Sequence, residues 1–240
     1  MSQSIPDRNV ISRRRARRAS APGSIESANE ETGFSWGSIL ILAVVVALVA
    51  AAGFALDRAL QVQPVGAFAR CSTAARLGPH SFAKPPRMCI DTTRNYVAKV
   101  VTTKGEFNIS MIAAAAPLTV NNFIVLSVNG FYNGLTFHRA EDYVVQGGDP
   151  LGDGRGGPGY ALEPESNATP WSTNSVGMAR NPDGSINGSQ FFILKTEWPA
   201  PGPGSLAFNQ FGAVLTGGDV LPSLTPGDRI VSISVTVVAK

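Results

Sequence analysis

Histidine and cysteine are nearly missing from this 240-residue chain, which has two of each, and charged residues make up only 15% of it. From Tyr96 onward there is no Gly-x-Ser-x-Gly string and no cysteine, so the usual routes to nucleophilic catalysis are thin. A clustered basic surface is missing as well. The formal net charge is +3, but the first 35 residues hold six arginines against four acids, leaving 14 basic and 13 acidic residues in the rest. A nearly neutral body argues against nucleic-acid binding, which requires Lys and Arg gathered on one face to neutralise phosphates. Metal ligands are equally scarce. Cys71, His80 and Cys89 spread over 19 residues without a tight Cys-x-x-Cys pair, a poor zinc site. No metal or other cofactor is expected.

The chain reads as four segments. Residues 1–35 are rich in Ser, Arg, Asn and Glu and show neither a period of 2 nor one of 3.6, the pattern of a disordered basic tail. From Trp36 to Leu56 there are 21 residues without a charge, dominated by Ile, Leu, Val and Ala. A helix of that length spans about 30 Å, the thickness of a bilayer's hydrocarbon core. Residues 36–56 are therefore expected to form a transmembrane helix. A cleavable signal peptide is the other reading, with Ala50-Ala51-Ala52 as its small-residue site, but a 35-residue leader before the apolar run is long for one. The arginine cluster Arg13 to Arg18 precedes the helix, so the positive-inside rule leaves the N-terminus cytoplasmic and the body outside the cytoplasm. Its distance from the apolar run argues against a twin-arginine export signal.

Residues 57–95 form a connector with Pro64, Pro79, Pro85 and Pro86, and they hold both cysteines. In an oxidising compartment an isolated pair most often forms a disulfide, so Cys71 and Cys89 are expected to be joined. From residue 96 to 240 the pattern is mostly strand. Tyr96 to Thr103, a turn at Lys104-Gly105, and the alternating Glu106 to Ile112 predict a hairpin. Pro117 opens a helix that Asn129-Gly130 ends, and Arg229 to Val237 predicts a long final strand. Many short strands with few helices suggest a closed barrel or a sandwich.

Three segments place polar side chains among aromatic and aliphatic ones, as at the edge of a small apolar pocket: Thr136 to Arg139, Val144 to Pro150, and Gly188 to Ile193. Gly152-x-Gly154-x-x-Gly157 matches a dinucleotide fingerprint as a string. That motif needs a helix starting at the glycines so that its N-terminus meets the pyrophosphate, and here Pro158-Gly159 follows. A surface loop is expected there.

The stretch from Tyr96 to Val237 resembles the cyclophilin family of peptidyl-prolyl cis/trans isomerases. The resemblance rests on Val120-Asn121-Asn122-Phe123, Gly130 to Arg139, Gln146-Gly147-Gly148-Asp149-Pro150 and Gly188-Ser189-Gln190-Phe191-Phe192-Ile193, in family order. Phe82 to Asp91 is similar to the connector of bacterial membrane-tethered members. The implied fold is mainly β, an eight-stranded closed antiparallel barrel capped by two helices, and the implied partners are proline-containing polypeptides. By position, Arg139 matches the catalytic arginine and Gln146 the glutamine that binds the peptide backbone. Phe192 matches the floor of the proline pocket. Tyr143 stands where Phe is usual, Val144 where Met or Val is common, and Ala179 and Gln190 match further peptide-binding positions. Counting back from Phe211-Gly212 puts Phe208 at the pocket rim, and Trp198 matches the rim tryptophan if Pro199 to Ser205 is an altered loop. The loop between Arg139 and Gln146 is one residue shorter than the family's common spacing, with Ala140-Glu141-Asp142 in place of a proline-containing turn. Two other functions remain open on this sequence: a prolyl-peptide binding module or holdase with little turnover, and a structural barrel. The resemblance fixes no oligomeric state.

Overall fold

The computed structural model describes residues 66–71, 76–165, 169–198 and 208–238. The expected tail (1–35) and transmembrane helix (36–56) lie outside them. Among the described residues no helix is long and apolar enough to cross a membrane.

Eleven strands are present among the described residues: β1 (Arg76–Gly78), β2 (Ser81–Phe82), β3 (Asn95–Thr102), β4 (Gly105–Met111), β5 (Thr136–Ala140), β6 (Val144–Asp149), β7 (Ala161–Leu162), β8 (Ser175–Arg180), β9 (Ile186–Leu194), β10 (Gln210–Thr216) and β11 (Ile230–Val238). β1 and β2 pair with each other. The others form one antiparallel sheet in the order β11-β3-β4-β10-β8-β9-β6-β5, with β7 added against β9. The β3–β4 hairpin follows from its sequence: Tyr96, Ala98 and Val100 alternate inward opposite Met111, Ile109 and Phe107.

The expected closed barrel requires correction. The end strands β5 and β11 meet at one bridge, Thr136 to Arg229, flanked by the bonds Gly134 N to Ile230 O and Phe137 N to Asp228 O. No continuous ladder joins them. β5 has only five residues and two register shifts, and Asp228 is tied into a turn by accepting from Thr225, so little straight backbone is left to pair.

The two capping helices also need correcting. One α-helix occurs among the described residues, α1 (Pro117–Val128); Gly218–Ser223, with Pro222 inside it, is a short 3-10 helix. A proline there removes a donor and disfavours a longer α-helix. Pro117 starts α1, and no side chain of its own caps it. Instead the Glu165 carboxylate accepts from the N–H groups of Leu118 and Thr119 at 2.8 and 2.7 Å, placing negative charge at the helix N-terminus. Gly130, at φ +72°, ends it in the left-handed conformation that glycine adopts without cost.

α1 is buried on every side from Thr119 to Ser127. Phe123 packs against Phe191, Phe211 and Tyr132 at 5.0–5.5 Å between centroids, at the centre of the core. Its buried amides are satisfied. Asn122 donates to Gly188 O and accepts from the Tyr160 hydroxyl, while Asn121 accepts from Cys89 N and donates to Arg87 O. The connector is thus bonded to α1, and Cys71 and Cys89 are joined by a disulfide.

Candidate active site

The site lies on the outer face of the sheet, opposite α1, and the strand registers assemble it. Arg139 on β5 pairs with Gln146 on β6, Gln146 with Phe192 on β9, and Phe192 with Gly177 on β8. Directly paired residues share a face, so these four make one row across four strands. One residue away on β6 and β9, Val145, Phe191 and Ile193 face the main core, and the bulge between Phe137 and Arg139 in β5 turns Phe137 to that core as well.

A second, smaller apolar cluster lies on the site face: Val144, Ala179, Phe192 and Leu194, with Tyr143, Trp171, Trp198 and Phe208 packed against it. Val144 and Phe192 are only 2% and 4% exposed. Trp171 stacks on Phe192 at 5.4 Å with 18° between planes, and Trp198 and Phe208 meet Phe192 edge-on at 5.8 and 5.3 Å. Gly177 makes room for this, because a Cβ there would run into the Trp171 ring.

Beside the cluster is a polar arm. The short turn closes by a bond from Glu141 N to Val144 O at 2.8 Å, which brings Glu141 and Tyr143 back onto Arg139. Arg139 donates from Nε to Glu141 Oε1 at 2.6 Å and from Nη2 to the Tyr143 hydroxyl at 2.7 Å. Its Nη1 makes only a 3.4 Å contact to Gln146 Oε1. The bond to Glu141 raises the Arg139 pKa above its ordinary value, and the same bond holds the Glu141 carboxyl below the usual carboxylate range. Farther along, Gln146 Nε2 donates to Gln190 Oε1, and Gln190 Nε2 donates to the carbonyls of Gly154 and Gly156.

The glycine string resembling a nucleotide fingerprint is a loop, as expected, with Gly152 and Gly154 at positive φ and no helix following. Asp149 organises it by accepting from the N–H groups of Leu151, Asp153 and Gly154. An open cleft of about 550 Å³, lined by residues that include Arg155, Tyr160, Asn181 and Asp183, borders the same loop. No group of three or more His, Cys, Asp or Glu side chains placed to hold a metal occurs among the described residues.

All the residues singled out for the site come together: Arg139, Tyr143, Val144, Gln146, Ala179, Gln190, Phe192 and Phe208. Trp198 joins them. Two further contributors were not foreseen. Trp171 carried a signal, an aromatic alone in a polar loop, whereas Glu141 carried none beyond lying two residues after Arg139.

A model of the family described as "Cyclophilin type peptidyl-prolyl cis-trans isomerase/CLD" matches residues 97–236. A peptidyl-prolyl cis-trans isomerase of Synechococcus elongatus is 40% identical over 139 residues, covering 56% of this chain and 92% of that one. One from Helicobacter pylori is 35% identical over 139 residues, with 57% and 84% covered. Among solved structures, a Cryptosporidium parvum cyclophilin-type isomerase superposes with a TM-score of 0.52 at 24% identity, covering 61% of this chain and 99% of that chain. The same protein in the presence of the dipeptide Ala-Pro gives 0.51 at 25% identity, with 60% and 99% covered. The chain belongs to the cyclophilin-type peptidyl-prolyl cis-trans isomerase family, and it is an isomerase of that kind.

Proposed function

We propose that this isomerase acts on prolyl bonds of exported or envelope polypeptides, with Arg139 as the catalytic donor and Phe192 as the floor of the proline pocket. The observation that carries the reading is the row Arg139–Gln146–Phe192, which sets a cation, a backbone-binding amide and an apolar surface side by side. The Cryptosporidium parvum isomerase of the same family was solved in the presence of the dipeptide Ala-Pro, a prolyl peptide of the class proposed here as substrate.

Rotation about a prolyl bond meets a barrier of about 18–20 kcal/mol because it destroys amide resonance, and no covalent step is needed to lower it. As resonance is lost, the lone pair returns to the proline nitrogen. A guanidinium aimed at that region favours the twisted state over either planar one. Val144, Phe192 and Tyr143 would hold the ring while Gln146, braced by Gln190, binds the backbone. With one side of the bond fixed, rotation of the other becomes productive.

The placement in the cell belongs to the same proposal: tethering through residues 36–56, with the N-terminus cytoplasmic and the body extracytoplasmic. It is supported by the uncharged 21-residue run and the six arginines before it. Prolyl isomerisation on a scale of about 10–100 s limits folding after export, which gives such an enzyme its use. Protease protection of the body in intact cells would refute this orientation.

A second reading, a prolyl-peptide binding module or holdase with little turnover, is favoured by one observation: Trp171 stacks on Phe192 and replaces an open proline pocket with an aromatic surface, which would hold a chain without seating its ring for rotation. A protease-coupled prolyl-peptide assay on the full chain separates the two. Turnover above the spontaneous rate supports catalysis by this site; peptide binding without turnover supports the module.

A further inference from the structure

Resting on Arg139 as the catalytic donor, we propose that Glu141 and Tyr143 are positioning residues that hold its Nε and Nη2 and leave Nη1 as the nitrogen presented to the prolyl substrate. Three bonds of unequal quality motivate this. Nε to Glu141 and Nη2 to Tyr143 are short, 2.6 and 2.7 Å, while Nη1 to Gln146 is 3.4 Å, near the limit at which a hydrogen bond counts. The loosely held nitrogen is also the one on the side of Gln146, the amide assigned to the peptide backbone.

The three side chains form one set centred on Arg139. The Tyr143 hydroxyl accepts from Arg139 Nη2 while Glu141 accepts from Nε, and Arg139 first, with Tyr143 adding to it, holds the Glu141 carboxyl below the usual carboxylate range. The Arg139 guanidinium carbon also lies 5.8 Å from the Tyr143 ring centroid, within reach of a cation–π contact. A phenylalanine at position 143 would supply the ring and not the hydroxyl. The shortened turn is what permits the arrangement, since Arg139 and Glu141 are two residues apart and the Glu141–Val144 bond turns the chain tightly enough to return Tyr143.

Orientation is what such a set can contribute. Arginine has a long, freely rotating stem, and a donor that must find its direction during bond rotation loses the advantage of preorganisation. A merely structural ion pair would behave differently. Arg139 and Glu141 are 40% and 46% exposed, so their pairing contributes little to folding stability.

The test is Glu141→Gln, Tyr143→Phe and the double variant, each in the wild-type and Arg139→Ala backgrounds of the full chain, with kcat and KM on a prolyl tetrapeptide and the thermal midpoint. Each single variant is expected to lower kcat about three- to tenfold with KM and midpoint nearly unchanged. The double variant should fall short of the product of the singles, and neither change should matter once Arg139 is Ala. Slow exchange of the Arg139 Nε–H in ¹⁵N NMR should be present in wild type and lost in Glu141→Gln. If Arg139→Ala is inactive but both single variants keep the wild-type kcat, the positioning role is overturned and the catalytic reading stands. If Arg139→Ala itself retains the wild-type rate, both fall together.

Discussion

Gln146 and Gln190 are joined amide to amide, with Gln146 Nε2 donating to Gln190 Oε1 at 2.8 Å. Gln190 is 2% exposed and passes the link on to the carbonyls of Gly154 and Gly156, so it ties the site to the glycine loop. Gln190→Leu should therefore take the partner from the Gly154 carbonyl and the Gln146 amide, while Gly156 O keeps its bond from Asn187 Nδ2. A cost of about 1–3 kcal/mol is expected for each group left buried and unpaired, measured by denaturant unfolding, with KM for prolyl peptides rising. Unchanged stability and KM would show that the link is dispensable.

Arg139→Ala and Phe192→Ala should separate chemistry from packing. In the proposed mechanism the arginine stabilises charge that appears only as the amide twists, and losing such a donor should then cost about 2.7–4 kcal/mol, a hundredfold or more in rate, with little change in thermal midpoint. Phe192 lies beneath three other aromatic rings, so its truncation should lower activity and also cost about 3–5 kcal/mol of stability. The paired readout is isomerase rate and unfolding midpoint.

Gly177→Ala is expected to displace Trp171 from Phe192. The added methyl would meet the indole and the tip of the Phe192 ring, and overpacking of this kind costs about 1–3 kcal/mol. Quenching of tryptophan fluorescence by acrylamide should increase in the variant; an unchanged emission and quenching profile would contradict the stacking of Trp171 on Phe192.

His138 should make stability fall on mild acidification. Burial lowers its pKa from the ordinary 6.5; Asp149 and Asp153 oppose the shift and Arg139 adds to it. The unfolded chain therefore binds a proton at a higher pH than the folded one. Stability from this group is intact above the unfolded pKa, falls as pH drops from there through the folded pKa, and levels off below it. Thermal midpoints from about pH 7.5 to about 5.5 should decline less in His138→Gln than in wild type, and parallel curves would sink the assignment.

Cys71 and Cys89 close a loop of sequence separation 18 beside α1. A cross-link over that span is worth about 3 kcal/mol in the chain-entropy model. Cys71→Ala/Cys89→Ala should be destabilised by roughly that amount, and free-thiol labelling of unreduced protein should find neither cysteine. Labelling of both would overturn the pairing.

What the sequence by itself determined was local or periodic. The β3–β4 hairpin is written in alternation, α1 in Pro117 and Gly130, and the final strand in its β-branched run, because each depends on neighbours within a few residues. Arg139, Gln146 and Phe192 were legible only through their resemblance to family segments. Tertiary structure decided the rest. Whether β5 and β11 close a barrel depends on bulges in β5 and a turn at residues 225–228 that are far apart in the chain, and no periodicity encodes that pairing. The stacking of Trp171 on Phe192 depends on Gly177 lying directly opposite in the β8–β9 register. The grip of Glu141 and Tyr143 on Arg139 likewise depends on a shortened turn whose direction is set by one backbone bond, so a loop that read as a departure from its family became the support of the arginine.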